Sequence, residues 1–271
     1  MPLLSAVIIT HNEAHHLPRC LAALHWVDEI IIVDSGSTDN TADIAQLNPK
    51  VRWFEHPWQG FGLQKQFAVN QATGQWILSI DADEVVPEAL AQEIQHIIQQ
   101  PHHTTLVYAL PRRSWYCGRW IHHSGWSPDY VTRLFQRGSA QFTDDTVHEH
   151  LKPCVTPAII GRLTTPLLHY SFVSAEQVLH KMNHYSSLSA QAKFAKGQRS
   201  SLGKALLHGL WAFIRTYIVQ RGFLDGSQGV MLAISNAEGT YYRYVKLWLL
   251  QHNLSAPSLR PDHMADETTD K

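Results

Sequence analysis

Asp81 and Asp83 carry the clearest chemistry this chain can offer. They close the stretch Trp76-Ile-Leu-Ser-Ile-Asp-Ala-Asp-Glu84, an apolar run that turns abruptly acidic. Such a run reads as a buried strand whose last residues emerge at the carboxyl edge of a sheet. In an extended segment, residues two apart point the same way, so both carboxylates reach one ligand. Like charges this close raise each other's pKa, and a cation between them resolves the conflict. Hard oxygen donors with few neighbours suit Mg²⁺ or Mn²⁺ bridging to a substrate diphosphate. A lone Asp-x-Asp also fits a strand ending in a solvated acidic turn, so the elements around it must decide.

Those elements alternate between strand and helix. Residues 6–10 read as a strand ending in the polar loop Thr10-His11-Asn12-Glu13, after which Leu17, Cys20, Leu21 and Leu24 recur at helical spacing. Residues 29–33 form a second strand. Asp34-Ser-Gly-Ser-Thr-Asp39-Asn40 then makes a turn and caps a helix expected over Thr41–Gln46, with Asp39 in that structural role. A third strand over 51–54 and an amphipathic helix over 60–72 lead to the central strand. The repetition predicts an α/β fold with a mostly parallel sheet covered on both faces. Ligands collect beyond the carboxyl ends of such strands. Thr10 and Glu13, Asp34 and Asp39, and Asp81 and Asp83 all fall on that edge.

Further along, Pro87 opens a helix striped by Leu90, Ile94, Ile97 and Ile98, and residues 106–110 read as another strand. Between Arg112 and Arg137 the chain gathers Trp115, Tyr116, Trp120, Trp126, Tyr130 and Phe135 among arginines and histidines. Aromatic faces stack on sugar C–H surfaces and arginines hold phosphates, which makes Trp126 and Arg133 candidate substrate contacts. A half-buried aromatic β-meander is the plainer reading of the same residues. From Glu176 the pattern turns helical. Apolar residues from Leu202 to Ile218 cover nearly a whole helix circumference, flanked by Lys193, Lys196, Arg199 and Arg221. A basic helix bearing Trp211 and Tyr217, too short and too charged to span a bilayer, has two readings: it lies in a membrane interface, or it is the core helix of a dimer or bundle.

Composition bounds the rest. With 271 residues, 44% hydrophobic and 17% charged, the chain can bury a sizeable core. A formal net charge of -1 gives no global reason to expect a nucleic-acid partner. The 3 cysteines are scattered with no Cys-x-x-Cys pair, which fits a reducing compartment and argues against a thiolate zinc site. The first residues lack a basic leader and a cleavage site, so they read as a strand rather than a signal peptide. No window supplies the roughly 18 uncharged apolar residues of a spanning helix.

Three motifs now stand in order: Val7-Ile-Ile-Thr-His-Asn-Glu13, Ile32-Val-Asp-Ser-Gly-Ser-Thr-Asp-Asn-Thr41 and Ile77-Leu-Ser-Ile-Asp-Ala-Asp-Glu84. In these the chain resembles the family 2 glycosyltransferases, whose nucleotide-sugar-binding fold is called GT-A. Through Trp126-Ser-Pro-Asp-Tyr-Val-Thr-Arg-Leu-Phe135, Thr146-Val-His-Glu149 and Gly222-Phe-Leu-Asp-Gly226 it is similar to bacterial lipopolysaccharide core β-1,4-glucosyltransferases. The resemblance implies an inverting transfer of a hexose, glucose, from a UDP-sugar to a lipid-linked inner-core acceptor, a heptose. It places the enzyme in the cytoplasm, peripheral on the inner face of the cytoplasmic membrane, with no nucleic-acid partner. It also implies a GT-A domain over 1–172, nucleotide-binding to about 100 and acceptor-binding from about 101. A helical segment over 173–254 and a disordered tail over 255–271 complete the expected organisation.

Carried over residue by residue, the resemblance sets Thr10, Glu13 and Asp34 against uracil and ribose, and Lys65 near the base or diphosphate. Asp81 faces ribose and sugar, and Asp83 ligates Mg²⁺ or Mn²⁺. Inversion needs one base on the acceptor side. Glu149 is the candidate, with Asp144 and Asp145 as rivals. His148 and His169 are read either as completing the metal shell or as ordinary hydrogen-bonded histidines. Two other readings remain to be weighed. Asp81-Ala-Asp-Glu-Val85 also fits haloacid-dehalogenase-type phosphohydrolases, with Asp81 as nucleophile, although that motif normally follows the first strand of its domain. A non-catalytic membrane scaffold that kept the nucleotide-sugar fold is the other.

Overall fold

Aliphatic and β-branched runs form the strands β1 (Leu4–Thr10), β2 (Glu29–Asp34), β3 (Val51–Glu55) and β4 (Trp76–Ser79) of the computed structural model, which describes residues 2–144, 150–154 and 159–252. These four lie parallel in the order β3-β2-β1-β4. Every residue of β2 is buried, as a strand covered on both faces requires. Alternation along β1 sorts the core: Ala6 and Ile8 face one cluster with Leu24, Ile30 and Trp76, while Val7 faces another with Ile31, Ala68 and Phe135. Helices α1 (Leu17–Ala22), α2 (Thr41–Gln46) and α3 (Phe61–Gln71) make the connections.

The expected strand through Glu84 does not continue that far. It ends at Ser79, and the Glu84 N–H donates to the Asp81 carbonyl at 2.9 Å to close a turn. A separate strand, β5 (Glu84–Val85), follows, and then α4 (Glu88–Ile98) behind Pro87 buries Leu90, Ala91, Ile94 and Ile98. Asp81 and Asp83 therefore flank the bend of a turn. The parallel alignment that an extended segment would give them is absent.

The remaining strands of this unit are β6 (Val107–Tyr116), β7 (Arg119–Trp120), β8 (Asp129–Gln136), β9 (Ala140–Phe142), β10 (Leu151–Pro153), β11 (Ile160–Arg162) and β12 (Leu167–Phe172). The main sheet runs β3-β2-β1-β4-β8-β6-β12-β5, with β7 and β11 also on β6, and β9 and β10 pair separately. On a flat sheet β4 and β5 would stand roughly 19 Å apart, four spacings of about 4.8 Å. The stretch from Ser79 to Glu84 spans at most about 17 Å when straight, and here it is folded into a turn. The sheet must therefore curl until its far edge meets the tip of β4.

The chain divides into two compact units, Met1–Ser174 and Ala175–Lys271. The second is helical: α5 (Ala175–Ala195), α6 (Leu202–Ile214), a π-helical turn Arg215–Val219, a 3-10 turn Gly222–Asp225 and α7 (Gly226–Gln251). Ser201 caps α6 by accepting the Lys204 N–H at 3.2 Å. Small residues let α6 and α7 approach, since a Cβ on Gly209 would lie 3.2 Å from Tyr241 Cβ and 3.3 Å from the Ala237 carbonyl oxygen. In the first turn of α7, a Cβ on Gly229 would sit 1.8 Å from the carbonyl oxygen of Gly222 in the preceding 3-10 turn. Lys246 ties α7 to α5 by donating to the Asn183 carbonyl at 2.9 Å and to Ser186 Oγ at 2.7 Å. Among the described residues no helix is long and apolar enough to cross a membrane.

Candidate active site

Thr10 and Asp34 are register partners at the carboxyl tips of β1 and β2. Thr10 Oγ1 donates to Asp34 Oδ2 at 2.9 Å, and the Gly36 and Ser37 N–H groups donate to Oδ1 at 2.8 and 2.7 Å. Ser37 Oγ donates to Oδ2 as well. A carboxylate offers about four acceptor sites, so Asp34, only 2% exposed, is already fully occupied in shaping its own loop. Asn12 joins the two loops: its N–H donates to Ser37 Oγ and its Oδ1 accepts the Thr38 N–H, both at 2.8 Å. Asp39 accepts the Ala14 N–H at 3.1 Å and the Thr41 N–H at 3.0 Å, a structural role. Glu13, half-buried, is held through its own N–H, which donates to Thr41 Oγ1 at 2.8 Å.

Asp81 stands next to this loop pair at the tip of β4. Lys65, buried on α3, brings Nζ to 2.9 Å from Asp81 Oδ1, and Arg133, buried on β8, ion-pairs with Oδ2. Burial opposes ionisation of Asp81, but the Arg133 guanidinium and the Lys65 ammonium outweigh it and hold the carboxyl far below the usual carboxylate range. The like-charge conflict that suggested a cation between the two aspartates is thus met, for Asp81, by protein cations.

Glu84, wholly buried, completes the clamp. Its Oε2 accepts the Asp81 N–H at 3.0 Å, and its Oε1 lies 2.8 Å from Arg133 Nη2 and 3.5 Å from Arg112 Nη1. Arg112 Nε in turn donates to Asp129 Oδ2 at 2.9 Å. A continuous chain of charge therefore runs Lys65, Asp81, Arg133, Glu84, Arg112, Asp129. Glu84 was visible in the sequence as acidic punctuation. Its role was not, because the arginines that neutralise it come from strands far along the chain.

Asp83 points to a different partner. Its Oδ2 lies 3.2 Å from His169 Nε2 on β12, and its carbonyl accepts the Tyr170 N–H at 2.9 Å. On the other side of the ring, His169 Nδ1 is 2.9 Å from Ser171 Oγ and 3.3 Å from Ser114 Oγ. An imidazole steadied through one nitrogen with the other beside a carboxylate matches the outer-shell pattern of a metal ligand. Among the described residues no group of three or more His, Cys, Asp or Glu is poised to hold a metal. Asp83 and His169 are the residues here that would hold a divalent cation, whose other ligands would be substrate oxygens and water. Cys20 lies beneath this turn with Sγ 3.8 Å from the Asp81 carbonyl oxygen. Burial pushes its thiol up, and Glu84, Asp83, Asp81 and Glu13 push in the same direction, so it is not a nucleophile.

The structure thus brings Thr10, Asp34, Lys65, Asp81, Asp83 and Arg133 to the tips of neighbouring strands or onto the elements that clasp them. Trp126 has a packing role as well, half-buried with its ring 5.7 Å from that of Tyr116 and 6.1 Å from that of Phe172. Other aromatics of this stretch pack together, Trp115 on Trp120 at 5.1 Å and Trp120 on Tyr170 at 5.2 Å. Glu149, Asp145 and His148 lie outside the described residues. Asp144 is exposed.

The phosphohydrolase reading needs Asp81 free to attack and a motif after the first strand. Asp81 is instead clamped by two cations, and β4 is the fourth strand. The model of Glycosyl transferase family 2 matches residues 5–155. Over 262 residues the chain is 32% identical to an uncharacterized glycosyltransferase of Rickettsia felis, covering 91% of this chain and 90% of that protein. It is 30% identical over 259 residues to the lipopolysaccharide core biosynthesis glycosyltransferase LpsC of Rhizobium meliloti, covering 89% and 93%. The crystal structure of S. aureus TarS 1-349 in complex with UDP is similar in fold, with TM-score 0.50 at 14% identity and coverage of 94% of this chain and 93% of that one. A family match over more than half the chain, and relatives aligned over nearly all of it, lead to one conclusion: the chain belongs to the family 2 glycosyltransferases and has their GT-A fold.

Proposed function

We propose that this glycosyltransferase is inverting and metal-dependent, and that it moves glucose from UDP-glucose to a heptose of a lipopolysaccharide or lipooligosaccharide inner core. The site of action is the inner face of the cytoplasmic membrane. The observation that carries the reading is the turn at the tip of β4, where Asp81 is fixed by Lys65 and Arg133 and Asp83 is set against His169. Similarity to LpsC supports a lipopolysaccharide core acceptor. A fold shared with a UDP-bound protein makes uridine diphosphate the first nucleotide to test.

Transfer breaks the bond between the anomeric carbon and a phosphate oxygen, leaving negative charge on the diphosphate. A divalent cation, when bound, stabilises that charge as a Lewis acid. Asp83 and His169 are the residues that would hold it. Thr10 and Glu13 meet uracil and ribose from a loop that Asp34 shapes, and Lys65 adds positive charge close to the diphosphate. Asp81, kept ionised, accepts hydrogen bonds from ribose and sugar hydroxyls, and Arg133 acts through it. Trp126 offers part of its ring to the acceptor. Glu149 takes the proton from the acceptor hydroxyl as that oxygen attacks the face opposite the departing UDP.

The test is a thermal-shift screen of UDP-, GDP- and dTDP-sugars with and without Mn²⁺, followed by transfer to a heptose-containing lipid acceptor. UDP-glucose with Mn²⁺ is expected to give the largest shift and to be consumed when the acceptor is present. Preference for a GDP-sugar would overturn the donor assignment. Phosphate release from simple phosphoesters without an acceptor would overturn the reaction class.

A further inference from the structure

Helix α6 is amphipathic in an inverted sense. Its buried residues are the small Ala205 and Gly209, the latter against Ala237 and Tyr241 of α7, while its largest side chains face outward. Leu207 is 70% exposed and Trp211 is 55% exposed, with Leu206 and Leu210 beside them on neighbouring turns. Helices of water-soluble units ordinarily turn such residues toward the core. The exposed row continues through Ile218 and Val219 in the π-helical turn, so it forms one extended apolar strip. A contiguous strip of this kind marks an interaction surface.

Charge identifies what the strip meets. From Gln177 to Leu224 the sequence contains no Asp or Glu but has seven Lys or Arg, although the whole chain is nearly neutral at -1. Lys204 and Arg215 belong to α6 and the π-helical turn themselves, and Lys196, Arg199 and Arg221 border them in sequence. Two copies joined through this face would set Lys204, Arg215 and Arg221 of each against their own counterparts, with no acid between Gln177 and Leu224 to offset them. An anionic bilayer offers acyl chains to the leucines and phosphates to the margin.

We infer that the outer face of α6 and the turn after it form a monotopic membrane-binding surface for anionic phospholipid. Leu206, Leu207, Leu210 and Trp211 enter the acyl boundary, and Lys204, Arg215 and Arg221 engage headgroup phosphates. The inference rests on the proposed function only for its purpose, which is to hold the enzyme where a lipid-linked acceptor resides. Its physical content is binding to lipid with no sugar present.

The experiment is vesicle co-sedimentation of the full chain, with phosphatidylcholine alone and with phosphatidylcholine plus phosphatidylglycerol, at low and high salt. The full chain is expected to pellet with the mixed vesicles and to be released by salt. Neutralising one basic residue, as in Arg215→Gln, should weaken vesicle binding by roughly fivefold. Leu207→Gln with Trp211→Gln should abolish it while leaving the circular dichroism spectrum, and transfer to a water-soluble acceptor analogue, unchanged. Arg215→Gln guards against misfolding of that double variant. Failure to pellet with either vesicle overturns the inference, and so does unaltered binding by the variants. A lipid-free dimer that the same substitutions dissociate, without vesicle binding, would make the strip an interface between copies and overturn it too. Vesicle binding without sugar transfer would leave this surface standing and reject the proposed function.

Discussion

Arg133 bridges Asp81 and Glu84 from inside the protein, where a charge stripped of its partner is expensive. Arg133→Met leaves Glu84 fully buried and without its nearest cation, and should cost about 3–5 kcal/mol, read as a lowered urea midpoint. Adding Glu84→Gln should return part of that loss, because the two side chains are coupled; additive effects would refute the clamp. The base is tested separately. Glu149→Gln is expected to lower kcat by at least about 100-fold, the smallest usual contribution of a general base, while leaving UDP-sugar affinity nearly unchanged. Normal turnover by that variant removes Glu149 from the role and returns attention to Asp144 and Asp145.

At the scale of the element, two joints hold the fold. Glu29 at the start of β2 is 7% exposed, and it accepts hydrogen bonds from Ser5 Oγ at 2.5 Å and the Thr73 N–H at 2.9 Å and pairs with Arg52. Burial works against its ionised form, but these donors prevail and lower its pKa. A lowered folded-state pKa adds stability that is present above the unfolded value, about 4.3, and is lost as pH falls through the folded value. Glu29→Gln should therefore be less stable by about 1.5–3 kcal/mol at neutral pH, with the gap to wild type closing in acid. A constant gap across denaturation curves at several pH values would contradict this. The second joint is Gly229, where Gly229→Ala must displace backbone and should destabilise the helical unit near the upper end of roughly 1–3 kcal/mol, seen in thermal unfolding.

Element identity was legible wherever local chemistry decides it. Helix α2 spans Thr41–Gln46 as the Asp-Ser-Gly-Ser-Thr-Asp-Asn turn foretold. Elements settled by distant partners were not legible. Strand β6 runs past Pro111 to Tyr116, beyond the expected end at 110, because β12 and β7 pair with its second half while β8 covers the first as far as Arg112. The outward display of the α6 leucines was equally hidden, since a helix apolar on most of its circumference does not announce which side it buries.

For the molecule as a whole, donor and metal should report on each other. At a ligand concentration of 100 Kd, binding adds about 2.7 kcal/mol to stability, so UDP-glucose with Mn²⁺ should raise the Tm of wild type clearly. Asp83→Asn should remove the Mn²⁺-dependent part of that rise and abolish transfer, as should excess chelator. Full activity in chelator would dismiss the metal. The order of strands, loops and acids at the sheet edge was readable from three motifs, because each pairs an apolar run with a polar loop. The clamp around Asp81 was not, since it joins α3, β8 and the turn across widely separated parts of the chain. The curl of the sheet carries a last consequence. With Glu84 bonded back to Asp81, the bridge from β4 to the opposite rim is held as one tight turn, so the chain itself acts as a ruler. One extra residue there would preserve both aspartates in the sequence yet detach one from Lys65 and Arg133 or the other from His169, silencing the enzyme without removing a single catalytic group.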